Sequence, residues 1–186
     1  LRRYNSNFDE LRLICTYYQF DFKQVMSQVE WVIGDLLDNS SLDRALQGVT
    51  TIYHCAAVVS FGNALPEVLK QINIEGTRNL VNAAIQHEIN CFAFVSSIGA
   101  LGQSQHGETI TEKTPWNPQN TSSIYSNSKY AAEQEVWEAS VKGLPVVIVN
   151  PGIILGAGDF SKGSLQLFSQ VKKGMPFYTC QKSGYV

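Results

Sequence analysis

Tyr125 and Lys129 are four residues apart in a segment whose pattern predicts a helix, so their side chains should share one helix face. A free phenol titrates near about 10, too high for proton transfer at neutral pH, and a neighbouring ammonium favours the phenolate. Such a pair could act as a general acid or base toward a carbonyl or hydroxyl group. The alternative at this spacing is a solvated helix pair. Tyr178 and Lys182 repeat the spacing without a helical pattern, so we set them aside.

Small, hydroxylic and acidic residues follow several apolar runs of the sequence. They are Asp35, Ala56, Ala57, Ser96, Ser97 and the run Asn150-Pro151-Gly152. Open α/β sheets bind their ligands at the carboxyl ends of the strands, and the helix of Tyr125 would begin beside these ends. This placement favours a ligand site over a solvated helix pair.

The elements that must position these residues alternate along the chain. Strands are predicted at residues 29–35, 50–57, 91–96 and 145–150, and helices at residues 41–48, 66–89 and 123–142. Ser40 or Ser41 is the predicted cap of the first of these helices. Short, continuously apolar strands separated by helices are typical of a parallel sheet covered on both faces. The pattern therefore predicts a doubly wound α/β fold, with residues 103–121 forming a long polar loop.

Composition excludes several classes of protein. The chain has 186 residues, of which 44% are hydrophobic and 16% charged, which indicates a globular domain. Its net charge of -2 excludes nucleic-acid binding through bulk positive charge. The sequence contains no apolar run near the roughly 18 residues that span a membrane, and its four scattered cysteines are expected to be reduced packing thiols. These features favour a cytoplasmic setting.

The three histidines do not indicate a metal site. His87 and His106 lack ligand residues at metal spacing, and His54 lies inside an apolar run, which predicts a hydrogen-bonded core histidine. Two aromatic residues in predicted loops, Phe61 and Trp116, could either line a substrate pocket or anchor their loops.

Six short motifs occur in order along the chain. They are Gly34-Asp35-Leu36, His54-Cys55-Ala56-Ala57, Asn73-Ile74-Glu75-Gly76-Thr77, Phe94-Val95-Ser96-Ser97, Tyr125-x-x-x-Lys129 and Asn150-Pro151-Gly152. In this combination the whole sequence resembles the extended short-chain dehydrogenases/reductases. It is most similar to their NAD-dependent epimerase/dehydratase group, near the dihydroflavonol-reductase-like and 3β-hydroxysteroid-dehydrogenase-like branches. The resemblance implies a Rossmann-type fold and an NAD(P)-dependent enzyme that interconverts a ketone and a secondary alcohol.

The resemblance also implies a role for each matching residue. Tyr125 would be the acid/base, Lys129 would hold the nicotinamide ribose hydroxyls and lower the pKa of the tyrosine, and Ser97 would hydrogen-bond the reacting oxygen. The cofactor would also contact Asp35, Leu36, Ala56, Ala57, Val58, Asn73, Ser96, Pro151, Gly152 and Ile153. Arg2 and Arg3 would follow the family's second strand, where an arginine such as Arg2 would accommodate the 2′-phosphate of NADP, which favours NADP over NAD. The alternative is that both are solvated arginines.

The glycine-rich G-x-x-G-x-x-G turn of the family is absent from the sequence, because the glycines after Asn150 and after Ile98 differ from it in spacing and order. In the family this turn lies before the position that matches Leu1, so we expect roughly 35 further residues upstream. We expect residues 1–155 to form a partial dinucleotide-binding domain that lacks its first strand and helix. Residues 156–186 would begin a substrate-binding region that is incomplete in turn.

Two further functions remain open at this point. The same residues could serve a nucleotide-sugar epimerase or dehydratase that holds its NAD tightly, or a dinucleotide-binding regulatory or scaffold protein without catalysis. The substrate of the oxidoreductase would be a small carbonyl compound or alcohol. The two long helices could form a homodimer contact or cover the sheet of a monomer.

Overall fold

The computed structural model describes residues 1–59, 65–104, 108–117, 123–161 and 163–174. It divides into two compact units, which we describe separately. The first unit contains Leu1–Ile33 and the segment that begins at Ile153, and the second contains Gly34–Gly152. Among the described residues, none of the helices has the length and apolar character that a membrane span requires.

The second unit is built on a parallel three-stranded sheet. Its strands are β1 (Thr51–His54), β2 (Cys91–Val95) and β3 (Val146–Val149), in the order β1-β2-β3. The register aligns Tyr53 with Ala93, and Ala93 with Val147. These strands confirm three of the four predicted ones with shorter bounds, and all three carboxyl ends lie at one edge of the sheet.

Helices precede the first strand, separate the three strands and follow the last one. They are α1 (Asp9–Tyr17), α2 (Phe22–Ser27), α3 (Asn39–Ala45), α4 (Pro66–Leu69), a π-helical segment (Lys70–Glu75), α5 (Gly76–Gln86), α6 (Ile124–Val141) and α7 (Gln166–Lys172). The predicted helix at 66–89 is thus a continuous run from α4 to α5 with a π-helical middle. Pro66 begins it, because proline suits the first helical turn.

Helices α5 and α6 cover one face of the sheet and form the core with it. The inward side chains of β2, Phe92 and Phe94, are at most 1% exposed and pack with Val81, Ala84 and Val136 of the two helices. The outward residues of the sheet are less covered: Tyr53, Val147 and Val149 are each at least half exposed. Within this unit the helices therefore cover one face of the sheet. The apolar character of the strands had predicted that both faces would be covered.

Two local predictions were wrong. Residues 29–35 do not form an extended strand, because their one β-bridge is the parallel pairing of Ile33 with Arg2. At this bridge the Arg2 amide donates to the Val32 carbonyl at 2.8 Å. The cap of α3 is Asp38, whose carboxylate accepts from the Ser40 amide at 3.0 Å. The helix begins earlier than predicted because a carboxylate two residues upstream of Ser40 satisfies the free amide.

Candidate active site

Tyr125 lies in the first turn of α6, where the helix begins beside the carboxyl end of β2. Ser123 caps the helix, since its hydroxyl accepts from the Ser126 amide at 3.2 Å. A helix was predicted at residues 123–142, and α6 confirms it with bounds one residue shorter at each end. Tyr125 is half-buried, and its hydroxyl is near enough to the Ser97 side chain for Ser97 to lower its pKa. Two of the three predicted catalytic side chains therefore lie next to each other.

Ser97 is held by a short 3-10 turn at Ile98–Ala100. Its hydroxyl accepts from the Gly99 amide at 3.0 Å, which fixes the side chain at the start of the turn. A Cβ on Gly99 would lie 2.9 Å from the Ser126 hydroxyl oxygen of α6, so a larger residue there would force the Ser126 side chain to move. The packing of the turn on α6 is what brings Ser97 to Tyr125.

Lys129 lies one helical turn after Tyr125, on the buried face of α6. Its side chain is among the most buried in the protein, and the residue is 2% exposed. The ammonium donates to the Val95 carbonyl at 2.9 Å and lies 4.5 Å from the centre of the Phe94 ring. Burial lowers the pKa of Lys129 to about 8, although the charge of Glu133 raises it in part.

The pKa of Tyr125 differs from the prediction. Burial raises it above the ordinary value near 10, and the nearby Ser97 side chain lowers it only in part. The expected lowering by Lys129 was wrong for this structure, because the ammonium hydrogen-bonds the Val95 carbonyl. Tyr125 is therefore a protonated phenol at neutral pH, which suits a proton donor.

Asn73 connects the segment after β1 to the helix that carries Tyr125. It lies in the π-helical segment, is 1% exposed, and bonds both backbone groups of Val58: its Oδ1 accepts from the amide at 2.8 Å and its Nδ2 donates to the carbonyl at 3.1 Å. Its Nδ2 also donates to the Ser128 hydroxyl at 3.0 Å, and that hydroxyl donates to the Tyr125 carbonyl at 2.7 Å. Asn73 thus fixes the position of Val58 relative to the first turn of α6.

Glu133 is a functional candidate that the sequence reasoning missed. It is 8% exposed, and its carboxylate accepts hydrogen bonds from Ser96, Trp137 and Asn150. The signal was present in the sequence, because Glu133 follows Lys129 by the same four-residue step that separates Tyr125 and Lys129.

The other predicted cofactor-binding residues fall into two groups. Those in the second unit follow its strands or precede α3: Asp35, Leu36, Ala56, Ala57, Val58, Ser96, Pro151 and Gly152. Ser96 is 4% exposed, while Ala56 and Gly152 are exposed. Arg2 and Ile153 belong to the first unit, where the Arg2 guanidinium donates to the Ser6 carbonyl at 3.0 Å and lies 5.0 Å from the centre of the Phe8 ring.

Several smaller predictions can be compared with the structure. His54 is a buried core histidine bonded to the Thr77 hydroxyl at 2.9 Å, as predicted. Trp116 stacks on Tyr130 of α6, with ring centres 4.4 Å apart, which favours the loop-anchoring alternative. Cys15, Cys55 and Cys91 are free, but Cys55 is exposed, so its prediction as a packing thiol was wrong.

Some predictions fall outside the described residues, and one concerns metal ions. Phe61, Cys180 and the second tyrosine–lysine pair at 178 and 182 lie beyond the described ranges. Within those ranges, no group of three or more His, Cys, Asp or Glu side chains could hold a metal ion.

Comparisons with known proteins show the family to which the chain belongs. A parallel sheet with a serine, a tyrosine and a lysine at the carboxyl ends of its strands defines a Rossmann-type α/β protein. The sequence matches the NAD-binding family described as male sterility protein over residues 2–183. The chain belongs to the extended short-chain dehydrogenase/reductase family, within its NAD-dependent epimerase/dehydratase group.

Individual relatives include reductases and an epimerase. The chain is 36% identical to sterol demethylase protein B of Methylococcus capsulatus and 35% identical to cinnamoyl-CoA reductase 1 of Petunia hybrida, over 71% and 66% of its length. It superimposes on UDP-glucose 4-epimerase of Thermus thermophilus in complex with NAD, with a TM-score of 0.69 and 27% identity, over 85% of this chain and 53% of the epimerase. The chain spans about two fifths of the two curated relatives, 40% and 38% of their lengths.

Proposed function

We propose that this protein is an NAD(P)-dependent oxidoreductase that interconverts a ketone and a secondary alcohol, with Tyr125 as the acid/base. The observation that carries the proposal is the proximity of Ser97 to Tyr125, with the Lys129 ammonium one helical turn along the same face of α6. These groups lie at the strand edge where open α/β sheets bind ligands.

The residues at this edge suit a dinucleotide. An ammonium carries three N–H donors, and for Lys129 the described residues supply one hydrogen-bond acceptor, the Val95 carbonyl. Lys129 therefore keeps donors for the ribose hydroxyls of a nicotinamide cofactor. A Cβ on Gly152 would meet only Ile98, at 3.8 Å, so the backbone there is open to a flat ring.

The choice between NADP and NAD depends on the first unit. The Arg2 guanidinium donates to the Ser6 carbonyl at 3.0 Å through one nitrogen, and a guanidinium carries five N–H donors in all. Together with the family resemblance, this supports Arg2 as a group that holds the 2′-phosphate and supports NADP as the preferred cofactor.

The residues of the chain handle the proton, while the bound cofactor supplies or accepts the hydride at the substrate carbon. In reduction, Tyr125 donates its phenolic proton to the carbonyl oxygen as that oxygen gains negative charge. Ser97 orients the same oxygen by a hydrogen bond. Tyr125 is left as a phenolate, and its proton is then restored from solvent.

Replacement of Tyr125 by phenylalanine tests the proposal. The change removes the phenolic oxygen but keeps the ring, so kcat should fall roughly 100-fold or more while cofactor affinity is retained. Steady-state turnover and cofactor fluorescence titration of the full-length protein measure the two effects. Tyr130→Phe on the same helix is the matched control, because the ring that stacks on Trp116 is preserved. Wild-type turnover in Tyr125→Phe would refute the assignment.

The substrate panel follows from the relatives. The Petunia protein is named as a reductase of cinnamoyl-CoA, and the sequence resembles the dihydroflavonol-reductase-like branch. A dihydroflavonol offers a ketone and cinnamoyl-CoA offers a thioester, so the pair separates ketone reduction from thioester reduction. We propose that the ketone is the better substrate.

A nucleotide-sugar epimerase is the second candidate. It is favoured by the superposition on the Thermus thermophilus UDP-glucose 4-epimerase, which covers 85% of this chain. The same Ser97, Tyr125 and Lys129 would serve that reaction. The two functions differ in the fate of the cofactor, because an epimerase must retain the hydride that a dehydrogenase passes on.

A further inference from the structure

Glu133 is a buried carboxylate that joins three parts of the second unit. Its Oε2 accepts from the Ser96 hydroxyl at 2.5 Å and from the Asn150 side-chain amide at 2.8 Å, while its Oε1 accepts from the Trp137 indole at 3.2 Å. These donors lie after β2, after β3 and on α6. A buried carboxylate is tolerated only when it is hydrogen-bonded, and these three donors supply the hydrogen bonds to Glu133.

The network reaches Ser97 by two routes. The Asn150 amide nitrogen that bonds Glu133 also donates to the Ser97 carbonyl at 3.1 Å, which uses both of its hydrogens. Ser96, whose hydroxyl bonds Glu133, is the residue directly before Ser97. The carboxylate thus fixes the backbone on both sides of the hydroxyl that contacts Tyr125.

We propose that Glu133 is a positioning residue for this site: its carboxylate fixes Ser97 opposite Tyr125 and, buried one helical turn after Lys129 on α6, is the negative charge nearest to that ammonium along the helix. The proposal rests on the function proposed above, but the two can fail independently. It assigns Glu133 no contact with substrate or cofactor, since its hydrogen bonds within the described part of the chain are to Ser96, Trp137 and Asn150.

The charged groups around Lys129 show why its protonation depends on Glu133. Glu133 faces it from α6 and raises its pKa, as does the Cys55 thiol after β1, while burial lowers the pKa to about 8. Lys129 in turn lowers the pKa of His54 in β1. From β2 it meets only uncharged groups, the Val95 carbonyl and the Phe94 ring. Loss of the Glu133 charge therefore lets Lys129 lose its proton at a lower pH.

The test compares Glu133→Gln with wild type in the full-length, cofactor-free protein. NMR of ¹³C-labelled lysine follows the titration of Lys129, whose resonance is assigned with Lys129→Met. In Glu133→Gln we expect the pKa of Lys129 to fall by about 1 unit. Glu138→Gln, an exposed charge on the same helix, should leave it unchanged. An unaltered Lys129 titration in Glu133→Gln would overturn the proposal.

Kinetics test the positioning of Ser97. In Glu133→Gln we expect kcat to fall roughly 10- to 100-fold with a smaller change in KM for the cofactor, and the alkaline loss of activity to begin at lower pH. Glu133→Asp keeps the charge and should restore the pH profile while kcat stays reduced. If Glu133→Gln does not fold, the Glu133→Asp titration decides, since a lowered Lys129 pKa there would contradict the proposal. The Lys129 titration is independent of whether Tyr125→Phe loses activity.

Discussion

At the scale of single residues, hydrogen counting defines the state of His54. The Thr77 hydroxyl has one hydrogen, which it donates to the Asn73 carbonyl at 2.6 Å. In its 2.9 Å contact with the His54 Nε2, Thr77 must therefore accept, so neutral His54 carries its proton on Nε2. Burial and the charge of Lys129 lower the pKa of His54 to about 4. The imidazole is thus neutral in the folded protein across the physiological range.

This lowered pKa predicts a loss of stability in acid. The folded value lies below the unfolded value of 6.5, so the stabilisation is complete above pH 6.5 and is lost as the pH falls toward 4. The difference corresponds to about 3 kcal/mol of unfolding free energy. Urea unfolding at pH 7 and at pH 4 measures how much unfolding free energy the protein loses in acid. In His54→Asn this loss should be smaller than in wild type by about the same amount. Equal pH dependence in both proteins would contradict the assignment.

At the scale of secondary-structure elements, the sequence predicts best where a local signal and a long pattern agree. Ser123 and the apolar residues after it define α6 to within one residue at each end. The type and spacing of Tyr125 and Lys129 then place both side chains on one face of the helix. The contact between Ser97 and Tyr125 depends on how the turn at Ile98 packs on α6, and this packing has no periodic signal.

Other features depend on interactions that a single segment does not contain. Residues 29–35 have the apolar character of a strand, but a strand exists only through its neighbours, and Ile33 pairs with Arg2 at one position. The pKa of Tyr125 was expected to fall because an ammonium lies four residues away. Burial and the capture of Lys129 by the Val95 carbonyl reverse that expectation, and both come from tertiary packing.

The segment around Pro115 packs closely on Gly102, which follows the turn at Ile98–Ala100. A Cβ added there would overlap the backbone carbonyl of Pro115, and backbone atoms cannot move aside as a flexible side chain can. Gly102→Ala should therefore lower the free energy of unfolding by about 1–3 kcal/mol and separate the segment around Pro115 from the turn. Thermal unfolding and proteolysis of that segment measure these effects. Gly152→Ala is the control, since its nearest contact would be 3.8 Å away, and a Gly102→Ala variant as stable as it would refute the close approach.

At the scale of the whole molecule, the chain carries the proton-handling groups in one unit and the candidate phosphate-binding arginine in the other. Ser97, Tyr125 and Lys129 all belong to the unit built on the parallel sheet. Arg2 lies in the unit that begins the chain. The chain covers about two fifths of its curated relatives, 40% and 38% of their lengths, so cofactor exchange and substrate choice are properties to measure on the full-length protein.

The fate of the cofactor separates the two proposed functions. A dehydrogenase must exchange its cofactor in every turnover, whereas an epimerase returns the hydride to the same sugar and holds its NAD throughout. We expect the full-length protein to lose its cofactor on dialysis and to regain turnover when NADPH and a ketone are added. Absorbance of the dialysed protein and an assay with UDP-glucose measure both properties. Retained NAD together with epimerisation of UDP-glucose would replace the oxidoreductase with the second candidate.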